Sequence, residues 1–249
     1  MNTLLLTATI TPPPGVPDLR RTDPVLRLGD YADALRFYLT TNRSTIDRIV
    51  FADNSNSDLT RLKDLVREIK NQMPVEFISF DGLDHPPANG RGYGEFKMLD
   101  YVMANSKIIQ SSSATDKIWK VTGRYVITNL CDLIEQAPRN YDVYCNVRRW
   151  PKRWMDLYLI AWTKEGYDAV LRGVHHELRE DLIRTSPEVR MWDIIHDFFR
   201  KANIVPRYNV QPFVEGIVGF DNRSLAGGSN LIKFYLRSFA RRYFPWVWI

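Results

Sequence analysis

Cysteine is nearly absent: Cys131 and Cys145 are the only two in 249 residues. Two thiols cannot complete a four-ligand zinc site, and a disulfide-stapled secreted domain ordinarily carries more, so a reducing, cytosolic setting is expected. Long hydrophobic runs are missing too. The opening MNTLLLTATI has no basic segment before it and no small-residue cleavage pattern, and it meets Pro12–Pro14 at once. It reads as a buried first strand rather than a signal peptide or a membrane span. Neither HExxH nor GxSxG occurs, which removes the zinc-hydrolase and nucleophile-elbow signatures. Acids are absent from residues 231–249.

What is present is an ordinary globular composition, with 45% hydrophobic and 25% charged residues, which excludes a disordered or fibrous chain. The 34 Lys and Arg against 29 Asp and Glu leave a net charge of +5. Four of those cations, Lys233, Arg237, Arg241 and Arg242, lie in the acid-free tail, so residues 1–230 hold 30 basic and 29 acidic residues. A nearly neutral body argues against a nucleic-acid partner.

Strand-length apolar runs alternate with helical patterns over the first half. Strands are predicted at 3–10, 47–55, 75–81, 118–127 and 141–149. Helices are predicted from an Asp30 cap to about Thr41, from an Asp58 cap over about 59–71, and over Gly94–Asn105. Thr11–Leu28 reads as a long loop. The second half is less regular, with a strand at 156–163, helices at Gly166–Leu178 and Pro187–Ala202, and a strand pair at 207–220. Such alternation predicts an α/β fold, a Rossmann-type, mostly parallel sheet flanked by helices, with ligands beyond the carboxyl ends of the strands. The expected division is a domain over 1–228 and a basic, aromatic, amphipathic tail over 229–249.

Four constellations could carry chemistry. Asp53-Asn54-Ser55 ends the second strand, where a carboxylate can accept from a base N–H or a ribose hydroxyl, or can close a strand-end Asx turn. Gly90-Arg91-Gly92-Tyr93-Gly94-Glu95 combines close-approach glycines and a guanidinium with a helix start, which suits a diphosphate; its bland reading is a flexible loop. Lys120-Val121-Thr122-Gly123-Arg124 sets two cations in a central strand, where they must face a ligand or pair with acids. The acids Glu177, Glu180, Asp181, Glu188 and Asp193 cluster in sequence with His175, His176 and His196, but adjacent side chains on a helix point apart and no metal-site spacing is met. Glu188 follows Pro187, so a first helical turn explains it without catalysis.

The tail LIKFYLRSFARRYFPWVWI repeats a cation every four residues at Lys233, Arg237 and Arg241. Ile232, Tyr235, Leu236, Phe239 and Tyr243 lie on the other side, and Trp246 and Trp248 follow a proline. The pattern fits a helix lying in an anionic headgroup interface, or one docking its aromatic face on the domain.

Thr7-Ala8-Thr9-Ile10, Phe51-Ala52-Asp53-Asn54-Ser55, the Gly90–Glu95 segment, Lys120–Tyr125 and a later Glu215-Gly216-Ile217-Val218-Gly219 together resemble bacterial GT-A-fold glycosyltransferases of surface polysaccharide biosynthesis, of the capsule or O-antigen type, over roughly residues 3–220. The resemblance implies a nucleotide-sugar donor, with Thr7 and Thr9 lining the nucleotide pocket and Asp53 and Asn54 near base or ribose. The acceptor would be a glycan or lipid-linked oligosaccharide, at the cytoplasmic face of the inner membrane. Enzymes of this fold usually hold a divalent metal through Asp-x-Asp on the fourth strand. Here the segment carries no carboxylate, so no cofactor is expected, and Lys120, Arg124 and Arg91, with Gly92 and Thr122 beside them, are expected to hold the diphosphate. In an inverting transfer Glu188 is the expected catalytic base, with Asp181 and Glu180 behind it; a retaining mechanism stays open. A sugar-nucleotide nucleotidylyltransferase would carry a glycine- and arginine-rich loop straight after the first strand, where this chain has PPPG. The missing Asp-x-Asp leaves a non-catalytic, membrane-associated scaffold as the alternative.

Overall fold

The leucine-rich opening run forms the central strand β1 (Asn2–Ala8). Leu4 and Leu6 enter one apolar core and Leu5 the other, so the run is continuous because both faces are covered. The computed structural model describes residues 1–41, 44–70, 72–183, 185–217 and 229–244. The other strands are β2 (Arg48–Asp53), β3 (Val75–Ser79), β4 (Lys117–Thr122), β5 (Val126–Ile127), β6 (Val143–Tyr144), β7 (Val147–Arg148), β8 (Trp154–Met155), β9 (Leu159–Trp162), β10 (Ile204–Val205) and β11 (Val214–Glu215). Helices are α1 (Pro24–Thr41), α2 (Thr60–Glu68), α3 (Gly90–Asn105), α4 (Lys107–Gln110), α5 (Leu130–Glu135), α6 (Lys164–Gly166), α7 (Pro187–Phe198) and α8 (Ser229–Tyr243).

Among the described residues seven strands make one sheet in the order β10-β6-β9-β4-β1-β2-β3. It is mixed but mostly parallel: β9 alone runs antiparallel, to both β4 and β6. Helices α1, α2 and α5 cover one face through Tyr31, Leu35, Leu62, Leu65 and Leu133. α3 and α7 cover the other through Phe96, Leu99, Val102, Met191 and Ile195. This is the expected α/β sheet flanked by helices.

Several boundaries move. α1 starts at Pro24, six residues before the expected Asp30 cap. Asp23 Oδ1 accepts from Val25 N at 2.8 Å and caps the first turn, and proline at the start loses nothing because its N–H would be unpaired there. Asp30 instead binds Arg21 at 2.7 Å. The run 118–127 breaks after Thr122, where Gly123 N donates to Thr7 O at 2.8 Å and Tyr125 N returns to Thr122 O. The segment expected as a Gly166–Leu178 helix is interrupted at Gly173, whose φ of 74° is left-handed. Of the strand pair expected at 207–220, only β11 forms among the described residues. Residues 218–220, with Val218 and Gly219 of the Glu215–Gly219 segment, lie outside them.

The tail is helical as expected, but its faces are turned. Arg241 docks inward, donating to Gln211 Oε1 at 2.8 Å, Tyr208 O at 2.6 Å and Asn146 Oδ1 at 2.7 Å. The apolar set points out, with Ile232, Tyr235, Leu236, Phe239 and Tyr243 all at least 55% exposed. An aromatic face docked on the domain is thereby ruled out for this set, although Phe234 packs on Phe213. Trp246 and Trp248 lie outside the described residues.

Candidate functional site

β1, β2 and β4 are parallel neighbours, so their carboxyl ends reach one edge together: Thr7 lies opposite Ala52 and Thr122, and Ala8 opposite Asp53. A cleft of about 280 Å³ opens at that edge. Thr7, Thr9, Asn54, Thr122 and Arg124 line its sheet side, while Arg91, Gly92, Glu180 and Glu188 line the helix side. Residues far apart in sequence therefore share one opening.

Glu95 organises the floor. Its Oε1 accepts from Thr7 Oγ1 at 2.8 Å and Thr122 Oγ1 at 3.3 Å, and lies 2.5 Å from Lys120 Nζ. Lys120 is 0% exposed and also donates to Leu157 O at 2.6 Å. Burial pushes its pKa down and Glu95 pulls it back up. The expectation that Lys120 faces a ligand is corrected: its ammonium is neutralised inside the protein. Asp53 is corrected in the same way. Its Oδ1 accepts from Ile10 N and Ser55 Oγ, both at 2.8 Å, and its Oδ2 from Ser55 N at 3.1 Å and Ser57 N at 3.0 Å. Fully buried, that carboxylate ties the loop after β1 to the turn after β2 and does not line the cleft. Asn54 does line it, with Oδ1 accepting from Thr9 Oγ1 at 2.7 Å.

The glycine segment is helix, not loop: α3 starts at Gly90, four residues before the expected start. Its free N–H groups form the anion-binding end expected for a diphosphate. In this structure Glu180 fills that end, accepting from Arg91 N at 3.0 Å and from Gly92 N. Burial raises the Glu180 pKa; Arg91 and the two N–H groups oppose the rise and the charge of Glu188 adds to it. Gly90 has φ 85°, and a Cβ there would overlap the Glu180 carboxyl group. Gly90→Ala is therefore expected to cost about 1–3 kcal/mol through backbone strain alone, with displacement of Glu180 adding to it. A thermal melt within about 1 °C of the parent would contradict this packing. Gly92 packs against Pro187, whose Cβ would lie 2.7 Å from an added methyl.

Arg124 lies over Tyr125, its Cζ 5.3 Å from the ring centre, and its buried Nη1 has no hydrogen-bond partner among the described residues. Glu188 stands in the first turn of α7 at the rim. Asp181 is corrected: it is exposed, bound to Arg179 Nη2 at 2.6 Å, held below its ordinary pKa by that bond, and outside the cleft. His175 Nδ1 lies 2.8 Å from Asp100 Oδ2, and Glu177 pairs with Arg190. Among the described residues no three His, Cys, Asp or Glu side chains converge on a metal position. At the end of β4, where the resemblance places metal-binding carboxylates, Thr122-Gly123-Arg124 stands instead, and nearby Glu95 is already neutralised by Lys120. That strand end therefore offers no free carboxylate to a divalent cation.

Two carboxylates escaped the sequence reading. Glu95 closed a segment singled out for its glycines, and only the fold turns it toward Thr7 and Lys120. Asp156 carries no local signal; it lines the cleft, accepting from Asn146 Nδ2 at 2.6 Å and pairing with Arg148 at 3.0 Å.

No protein-family model matches the chain, and no curated protein matches it in sequence. Among solved structures it is similar to the glycosyltransferase GlyE of Streptococcus pneumoniae, at 9% identity and a TM-score of 0.49, over 82% of this chain and 44% of that one. It is similar to core-mannan synthase A of Aspergillus fumigatus in an Mn/GDP form, at 8% identity and a TM-score of 0.48, over 78% and 69%. It is also similar to the inositol-1-phosphate CTP transferase of T. maritima, at 9% identity and a TM-score of 0.46, over 95% and 94%. These neighbours include both sugar and nucleotidyl transferases.

Proposed function

We propose that the cleft binds a nucleoside-diphosphate sugar and transfers the sugar to a hydroxyl acceptor with inversion, without a resident metal. The observation that carries the reading is the pairing across one cleft of Arg124, whose buried Nη1 lacks a partner among the described residues, with the rim carboxylates Glu188 and Glu180. Thr7, Thr9 and Asn54 would line the nucleoside end. Arg124 and Arg91 would face the diphosphate and stabilise the charge that develops as it leaves. Glu188 would take the acceptor proton. The acceptor oxygen then bonds to the anomeric carbon, and the carbon–phosphate oxygen bond breaks with its electron pair leaving on the nucleoside diphosphate. The acceptor would be a glycan or lipid-linked oligosaccharide. The outward apolar face of α8, flanked by exposed Lys233 and Arg242, would lie on the cytoplasmic leaflet of a bacterial inner membrane. No helix among the described residues is long and apolar enough to cross a membrane.

The test is a thermal-shift panel of UDP, GDP, CMP and dTDP, each with and without EDTA. A ligand that binds only the folded state raises the melting temperature by mass action. The expected result is a shift for one nucleotide that survives EDTA. A shift that needs added Mg²⁺ or Mn²⁺ would overturn the metal-free account of the diphosphate, and no shift with any nucleotide would leave the scaffold reading.

A further inference from the structure

Behind the cleft wall formed by Asp156 and Tyr158, three arginines gather around one carboxylate. Arg148 Nη2 binds Asp156 Oδ1 at 3.0 Å, and its buried Nε has no partner among the described residues. Arg241 reaches the same acid through Asn146, which accepts from Arg241 and donates to Asp156. Arg237 lies one helical turn before Arg241 on the inward face of α8, half-buried. No hydrogen bond or ion pair joins Arg237 to another described residue. Burial lowers its pKa, Arg148 lowers it further, and Asp156 opposes both. Removing a cation from water beside another cation is unfavourable unless an anion arrives. Tyr158 and Asp156 connect the cluster to the cleft, and the opposite face of α8 is the exposed apolar stripe.

We propose that Arg148, Arg237 and Arg241 form an anion subsite that takes the phosphate of a lipid-linked acceptor. The geometry supplies both chemical parts of such a molecule. The apolar outer face of α8 lies against lipid, and its arginine inner face meets a phosphate between bilayer and cleft. Planar guanidinium groups match phosphate oxygens in pairs, which suits this task better than lysine would. The acceptor role rests on the transferase reading; the subsite itself does not.

Inorganic pyrophosphate binding is measured by calorimetry on the full chain, with the panel nucleotides present in excess to occupy the cleft. Vesicle binding is measured on phosphatidylcholine containing either phosphatidic acid, a phosphomonoester, or phosphatidylglycerol at matched charge. Arg237→Gln is expected to weaken pyrophosphate and phosphatidic-acid binding at least about tenfold, because charge-assisted bonds are lost. It should leave nucleotide shifts unchanged and weaken phosphatidylglycerol binding less than phosphatidic-acid binding, because a diester offers the guanidinium fewer free oxygens, and Arg237→Lys should recover part of the loss. Leu236→Gln/Phe239→Gln, altered only on the outer face, is expected to lose vesicle binding and keep pyrophosphate. Pyrophosphate binding equal to the parent in Arg237→Gln would overturn the subsite. Weakened pyrophosphate with unchanged phosphatidic-acid binding would overturn the lipid source and leave a free phosphate as ligand. Loss of every nucleotide shift, with the pyrophosphate difference intact, would sink the transferase reading alone.

Discussion

Glu95→Ala is expected to lower the unfolding free energy by about 3–5 kcal/mol, the usual effect of stripping the partner from a buried charge. Lys120 is 0% exposed, and without Glu95 it keeps only the neutral Leu157 carbonyl and Thr122 hydroxyl. In a chain of this size the melting temperature should fall by roughly 10 °C. Removing both charges, as in Glu95→Gln/Lys120→Met, should lose markedly less, because no unpaired ion remains. The pH dependence has a definite sign. Burial already lowers the folded pKa of Lys120 from the ordinary 10.5, and losing Glu95 lowers it further. The unfolded chain then binds more protons across the window between the two values. Stability of Glu95→Ala should therefore rise as pH rises toward 10.5, relative to the parent. A loss below about 1 kcal/mol with no such rise would mean that Lys120 does not depend on Glu95.

Glu188→Gln is expected to lower kcat by about 10²–10⁴, the range for a positioned general base, with nucleotide binding retained. The amide preserves shape and removes the basic lone pair. A second consequence can be read without substrate. Glu180 carries a raised folded pKa, chiefly from burial, with the Glu188 charge adding to it. Above the ordinary carboxyl value of 4.5 the folded protein therefore holds a proton that the unfolded chain has lost. Stability falls as pH rises through that window. In Glu188→Gln the Glu180 pKa drops, so this fall should still begin near the unfolded value but end at lower pH and be smaller. Near-parent turnover would remove Glu188 as the base. An unchanged pH dependence of stability would separate the two carboxylates in space. Glu180→Gln provides the complementary measurement, since its carboxylate also holds the start of α3 and should cost stability as well as rate.

Local pattern was enough for the elements whose side chains report their own burial. β1 was legible because three consecutive leucines fit only a strand covered on both faces, and α2 because Leu59, Leu62 and Leu65 recur at helical spacing. The α/β class, the parallel frame and the helical tail followed from such runs, since hydrophobic periodicity is written in neighbouring residues. The positions of Thr7, Thr9, Asn54, Thr122 and Arg124 at one cleft followed too, because residues at the ends of parallel strands are brought to one edge. What the charged groups do was decided by tertiary structure. Lys120 and Asp53 stand where a ligand would be met, yet Glu95 and the backbone N–H groups of Ile10, Ser55 and Ser57 take them up. Glu180 and Asp181 are adjacent in sequence, but one caps α3 inside the cleft and the other pairs with Arg179 outside it. The basic tail shows a helix by its spacing, while only docking to Gln211, Tyr208 and Asn146 turned Arg241 in and left Tyr235, Phe239 and Tyr243 out. A charge interacts over a few ångströms with whatever the fold brings near, so its role depends on partners tens of residues away that no local pattern records.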